Sequence, residues 1–175
     1  MTAPSRGFAA IADPSARVLI LGSLPGVRSL ELQQYYAHPR NHFWRIMGSL
    51  VGALPTLPYL MRTATLKQAG IALWDVCLSA DRIGSLDSSI RGHVANDFAS
   101  FLAGQPLLEL VAFNGQKDAA LYRGSVLRQL PQPPRSLRTQ VLPSTSIANA
   151  GMSYGEKLRR WCAILPFCRG SNERS

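Results

Sequence analysis

The chain has 175 residues, 46% of them hydrophobic and 17% charged, which is enough apolar chain for a substantial core and excludes a disordered composition. Its 19 basic and 10 acidic residues leave a formal charge of +9, with 16 arginines among the basic residues, a balance that suits a polyanionic partner such as nucleic acid. Strand-length apolar runs, no apolar core in residues 1–17 and three scattered cysteines (Cys77, Cys162, Cys168) argue against a membrane span, a secretory signal and a disulfide or CxxC metal framework.

Residues 1–16 read as a loosely held lead. "ARVLILG" (16–22) is a continuous apolar run of strand length and predicts a buried strand. Apolar residues at 43, 44, 46, 47, 50 and 51 give "HFWRIMGSLVG" (42–52) a helical period, and "LPYLMRTATLKQAG" (57–70) predicts a second helix closed by Gly70. "IALWDVCLS" (71–79) predicts a second strand. After an irregular stretch, "NDFASFLAG" (96–104) has the capped start and glycine stop of a short helix.

"LLELVAFNG" (107–115) predicts a third strand ending on Asn114 and Gly115, followed by a helix over "QKDAALYRGSVLRQL" (116–130). "PQPPRSLR" (131–138) is a proline-rich surface connection, and "TQVLPSTS" (139–146) predicts the fourth strand. The last helix, "YGEKLRRWCAIL" (154–165), places Leu158, Trp161, Cys162 and Leu165 on one face, ahead of a frayed tail at 169–175. This alternation predicts an α/β fold, a three-layer α/β/α sandwich around a mainly parallel four-stranded sheet, in one domain with its core at about 17–165.

Open α/β sheets bind ligands at the carboxyl ends of their strands. Here those ends carry Gly22-Ser23-Leu24-Pro25-Gly26, Asn114-Gly115 and Pro143-Ser144-Thr145-Ser146, all small, polar or backbone-exposing. "GSLPG" is neither GxGxxG nor GxxxxGK[ST], so no nucleotide cofactor is expected. A serine nucleophile needs a base, yet only His38, His42 and His93 exist and there is no GxSxG elbow. His38 and His42 have ligand spacing but Pro39 between them and no third partner, so no metal is expected. Asn41 reads first as the cap of the helix that follows, and second as a group doing chemistry. Tyr35 and Tyr36 read as core packing or as a stacking platform. Asn114 ends a buried strand, where a carboxamide offers a donor and an acceptor suited to a base edge.

"GSLPG" (22–26), "YYAHPRNHFW" (35–44), "GIALWDVCLSADRIGSLDSSI" (70–90), "AFNG" (112–115) and "LPSTSIANA" (142–150) occur in one order across residues 17–165. Taken together they resemble the uracil-DNA glycosylase superfamily, most closely its hypoxanthine-DNA glycosylase branch, with the mismatch-specific thymine/uracil glycosylases beside it. The resemblance implies a cofactor-free monofunctional hydrolase that removes a flipped deaminated base, hypoxanthine in preference and also uracil or xanthine, from double-stranded DNA. With no signal or span read in the sequence, a cytoplasmic protein without membrane attachment is the default expectation, and a monomer is expected. Mismatch-specific members carry a catalytic Asn in the first motif, where this chain has Ser23. The hypoxanthine branch places that Asn at Asn41. Asn114 matches the base-reading Asn and Tyr36 the aromatic that stacks on the flipped base, with Gly22, Ser23, Leu24, Pro25, Gly26, Phe43 and Ser144 around the base. Ser144, Thr145 and Ser146 match the second motif, without the His of other branches. The following loop, Ile147 to Met152, corresponds to the wedge inserted into DNA, although Ile147 replaces its usual Pro, and Ser146, Ala148, Asn149 and Met152 are the expected DNA contacts there. Lys117 and Lys157 are the expected phosphate contacts, with Arg123, Arg159 and Arg160 nearby, and Asp75 or Asp87 reads as an aid to water activation or a buried structural carboxylate. Two alternatives stay open: a G:U/G:T mismatch-specific glycosylase, and a damaged-DNA-binding protein without turnover.

Overall fold

The computed structural model describes residues 4–86, 89–130 and 137–169. Its central sheet has the order β3-β2-β6-β7, formed by β2 (Val18–Gly22), β3 (Ile71–Asp75), β6 (Leu110–Phe113) and β7 (Arg138–Val141). All three pairings are parallel, with Val18 opposite Ile71 and Leu110, and Leu110 opposite Arg138. Period-two alternation sends the side chains to two separate cores. Leu19, Leu21, Ala72, Trp74, Val111 and Phe113 face α4 (Phe98–Ala103) and α5 (Gln116–Leu121). Val18, Ile20, Ile71, Leu73, Leu110 and Ala112 face α2 (Phe43–Val51), α3 (Tyr59–Gln68) and α6 (Tyr154–Trp161). Helices on both faces explain why the strands are apolar throughout rather than alternating in polarity.

The predicted strand at 71–79 is two strands in two sheets. After Asp75 the Val76 and Cys77 N–H groups donate to Gly22 O (2.9 Å) and Ser23 O (3.0 Å), and the chain then leaves the parallel sheet. β4 (Cys77–Asp81) joins a small antiparallel sheet between β1 (Ser5–Arg6) and β5 (Arg91–Ala95). Asn96 brackets this departure by donating through Nδ2 to Asp75 O (2.8 Å), and the capping role falls to Asp97, whose Oδ1 accepts the Ser100 N–H (3.1 Å).

Two predicted helices change winding. The 116–130 segment is α5 followed by a π-helical turn over Tyr122–Val126. The last helix tightens into a 3₁₀ turn over Cys162–Phe167. Three residues per turn bring Ile164 beneath Trp161 and leave Cys162 exposed, which corrects its expected place on the buried face. Residues 131–136 of the proline-rich connection and the tail beyond 169 lie outside the described residues. Among the described residues no helix is long and apolar enough to cross a membrane.

Candidate active site

The carboxyl ends of β2, β3 and β6 and the loop after β7 surround a cavity of about 150 Å³. Of the residues singled out in the sequence, it brings together Gly22, Ser23, Leu24, Pro25, Gly26, Tyr36, Asn41, Asp75, Asn114, Ser144 and Ser146. Gly22 occupies the closest approach: a Cβ there would stand 2.6 Å from Asp75 Oδ1 and 2.9 Å from the Tyr36 hydroxyl. Only hydrogen fits at this position beside that carboxylate and that phenol.

Asn41 stands two residues before α2, ahead of the boundary residue His42, and its Oδ1 accepts the Phe43 N–H at 2.9 Å. An orphan N–H at a helix start can be satisfied only by an acceptor, so the carbonyl of the amide must face the helix. Capping therefore fixes the side chain and leaves Nδ2 and the second Oδ1 lone pair for a ligand. The expectation of a cap holds, and Asn41 also lines the cavity.

Tyr36 sits at φ +54, a left-handed conformation that is costly for an aromatic residue. Its surroundings hold it there. The ring stacks on Phe43 with centroids 4.1 Å apart and planes at 22°. Trp44 Nε1 donates to the Tyr35 carbonyl (2.9 Å), the Tyr35 N–H donates to the Tyr59 hydroxyl (3.0 Å) and the Ala37 N–H to Ser29 Oγ (3.1 Å). Burial, then the nearby Asp75 charge, drives the Tyr35 phenol far above its ordinary pKa, so it stays protonated and donates to Ala9 O. Phe43 does not line the cavity as expected. It is fully buried and backs the Tyr36 ring.

Asn114 is held at both ends by one residue. Its Oδ1 accepts the Thr145 N–H (2.8 Å) and its Nδ2 donates to Thr145 Oγ1 (2.9 Å), locking the end of β6 to the loop after β7. Gly115 follows at φ +125, and a Cβ there would press within 3.2 Å of Ser144 Cβ. That loop braces itself by side-chain bonds: Ser146 N–H to Ser144 Oγ, Ala148 N–H to Ser146 Oγ, and Asn149 Nδ2 to Ser144 O, each 3.1–3.2 Å. These contacts stiffen the segment that has Ile147 in place of a proline.

Lys157 is not on a solvated face. It is 1% exposed, and its Nζ donates to Ser146 O at 3.4 Å, so it supports the loop from beneath rather than presenting its charge to solvent. Its burial lowers the ammonium pKa. Beside it, burial and then the Lys157 and Arg45 charges lower the pKa of His42, whose Nδ1 is buried without a hydrogen-bond partner among the described residues. Lys117, Arg123, Arg159 and Arg160 are exposed, as solvated faces require. Ile147 lines the cavity rim, while Ala148 and Met152 lie further along the loop; Asp87 is outside the described residues.

Sequence inspection passed over Arg28, Ser29, Ser85 and Asp118, and weighed His38 only as a metal ligand; all five line the cavity. Asp118 is 3% exposed in the first turn of α5. Its place four residues after Asn114 was the available signal, because the first turn of a helix that leaves a strand end lies beside that end.

Residues 9–164 match the family model described as Uracil DNA glycosylase superfamily. A protein of Methanosarcina acetivorans named "Hypoxanthine DNA glycosylase" is 42% identical over 161 residues, covering 91% of this chain and 97% of its own. A protein of the same name from Methanosarcina barkeri is 39% identical over 145 residues, covering 82% and 87%. A solution NMR structure of a candidate uracil DNA glycosylase from M. acetivorans superposes with a TM-score of 0.74 at 38% identity, covering 93% of this chain and 97% of that one.

Proposed function

The chain belongs to the uracil DNA glycosylase superfamily and is a DNA N-glycosylase; from that premise we propose that it is monofunctional and excises deaminated bases, hypoxanthine in preference. The observation that carries this reading is the meeting of Asn41, Tyr36, Asn114 and Ser144 in one small cavity. Uracil and xanthine are the further candidate bases. We read residues 1–175 as one glycosylase domain, with its core at about 17–165, acting in the cytoplasm as a monomer.

A base inside a duplex must be extruded before its bond to the sugar can be reached, at a cost of a few kcal/mol that is smallest for a mispaired base. Stacking on the exposed part of Tyr36 returns about 1–3 kcal/mol. Rupture of the C1′–N bond leaves positive charge on the sugar and negative charge on the base, so the site needs oriented dipoles and a positioned water more than a strong nucleophile. Asn41, already oriented by its cap, holds the water with its remaining amide functions. Asn114 gives its second Nδ2 hydrogen to the base as charge develops. The acceptor on hypoxanthine is O6 or N7. Ser23, where mismatch-specific relatives carry Asn, contributes backbone shape. No lysine is among the described residues lining the cavity, which favours hydrolysis over Schiff-base strand cleavage.

The test is incubation with duplexes carrying a single hypoxanthine, uracil or mispaired thymine, followed by alkali to reveal abasic sites. Hypoxanthine excised fastest is the expected result. Cleavage of uracil or thymine alone would overturn the base assignment, and binding without any cleavage would make the protein a damage-binding module.

A further inference from the structure

One exposed apolar residue, Ile147, lines the cavity, and two more flank another lining residue, Ser85; the family resemblance accounts only for the first. Ile147, 43% exposed, belongs to the loop after β7. On a separate loop, leaving the small antiparallel sheet at the end of β4, Ile83 is 90% exposed and Leu86 58% exposed. Between them Ser85 reaches back to line the same cavity.

This second loop is fastened to the cavity wall. Arg82 donates from Nη1 to Leu24 O (3.0 Å) and from Nη2 to Pro25 O, gripping the "GSLPG" turn by two successive carbonyls. Ser85 Oγ accepts the Val27 N–H (3.0 Å) at the start of α1 (Val27–Leu32), and Gly26 approaches so closely that a Cβ there would lie 3.1 Å from Ser85 Oγ. Ser89 closes the turn by donating from Oγ to Leu86 O (2.7 Å) and Ile83 O (3.1 Å). An apolar side chain held almost wholly in water by a braced turn gains by burial when a partner arrives. The partner for this face is duplex DNA, because the loop is continuous through Ser85 with the cavity that receives the extruded base.

Resting on the glycosylase assignment, we propose that Ile83 is a second wedge: it enters the base stack of the bound duplex from the loop that carries Ser85, separate from the loop of Ile147. Aliphatic side chains inserted between base steps unstack and kink a duplex. A wedge on each of the two loops holds the gap open while the extruded nucleotide occupies the cavity. Arg82 is the positioning residue, since it ties the height of the wedge to the wall that contacts the base.

The experiment compares wild type, Ile83→Ser, Ile83→Met and Leu60→Ser, the last a 79% exposed apolar residue of α3 that does not line the cavity. Excision is measured on hypoxanthine in duplex and in single-stranded oligonucleotides. Unstacking is followed by fluorescence of 2-aminopurine flanking a tetrahydrofuran abasic analogue in duplex, a readout independent of which base the enzyme prefers. Ile83→Ser is expected to lower duplex excision and the fluorescence rise by about tenfold, while single-strand excision, melting temperature and the Leu60→Ser protein stay at wild-type values. Ile83→Met is expected to restore both signals. Wild-type duplex excision and fluorescence in Ile83→Ser, or equal loss on single and double strands, overturns the proposal. A wild-type protein that unstacks the analogue through Ile83 yet leaves hypoxanthine in place would instead overturn the base assignment.

Discussion

Asn114 and Thr145 hold each other by two hydrogen bonds, Thr145 N–H to Asn114 Oδ1 at 2.8 Å and Asn114 Nδ2 to Thr145 Oγ1 at 2.9 Å, and both residues are buried. This pair joins the end of β6 to the loop after β7. A side chain expected to read a base is thus also the fastening of the cavity wall, and Thr145 sets the direction in which its free N–H points.

Replacing Thr145 by Val removes the hydroxyl and leaves one Asn114 N–H without its partner in a buried setting. The expected outcome is a stability loss of about 1–3 kcal/mol with a fall in excision rate. Thr145→Ser keeps the hydroxyl and is expected to recover most of both. Chemical denaturation and single-turnover excision check the pair. Thr145→Val with unchanged stability would show that the bond contributes nothing.

Gly22 packs against both Asp75 Oδ1 and the Tyr36 hydroxyl, with no room for a methyl group. Gly22→Ala is expected to cost about 1–3 kcal/mol by overpacking and to shift the Tyr36 ring, reducing excision. Gly124→Ala, whose Cβ would meet no atom within 4 Å, is the control and is expected to melt at or above wild type. Equal melting temperatures for the two variants would contradict the close approach.

His42 has a pKa below its ordinary value, first from burial and then from Lys157 and Arg45. Because the unfolded chain binds the proton more readily, the contribution of His42 to stability is fully present above the unfolded pKa, near 6.5, and is lost as pH falls through the lowered folded pKa. Lys157→Met removes one repelling charge, so the His42 pKa is expected to rise toward 6.5 in an NMR titration. The same substitution takes the donor from Ser146 O and is expected to weaken duplex binding by loosening the loop. An unmoved His42 titration in Lys157→Met would contradict the electrostatic contact.

Much of the architecture was legible in the residues. Continuous apolar runs at 18–22, 71–75 and 110–113 announced strands covered on both faces, and the helical period at 43–51 announced α2. The split at Val76 was not legible, because "IALWDVCLS" is one run in sequence and only the carbonyls of Gly22 and Ser23 decide where it leaves the sheet. Lys157 looked like a surface cation because polarity along α6 gives no sign of the loop that covers it. Likewise Phe43 looked available to a ligand until the left-handed Tyr36 placed its own ring over it. Arg82 and Ser85 escaped notice in a stretch without periodicity, where function is carried by hydrogen bonds to a distant turn.

The Asn41 side chain is where fold and chemistry meet, so its replacement by serine tests the proposed mechanism most directly. Serine can accept the same N–H at the helix start, so Asn41→Ser is expected to keep the melting temperature within about 2 °C of wild type. Without the amide to hold the water, single-turnover excision of hypoxanthine from a duplex is expected to fall about 10²–10³-fold. An Asn41→Ser protein that melts like wild type and excises hypoxanthine at the wild-type rate would show that Asn41 only caps α2, and that the chemistry lies elsewhere.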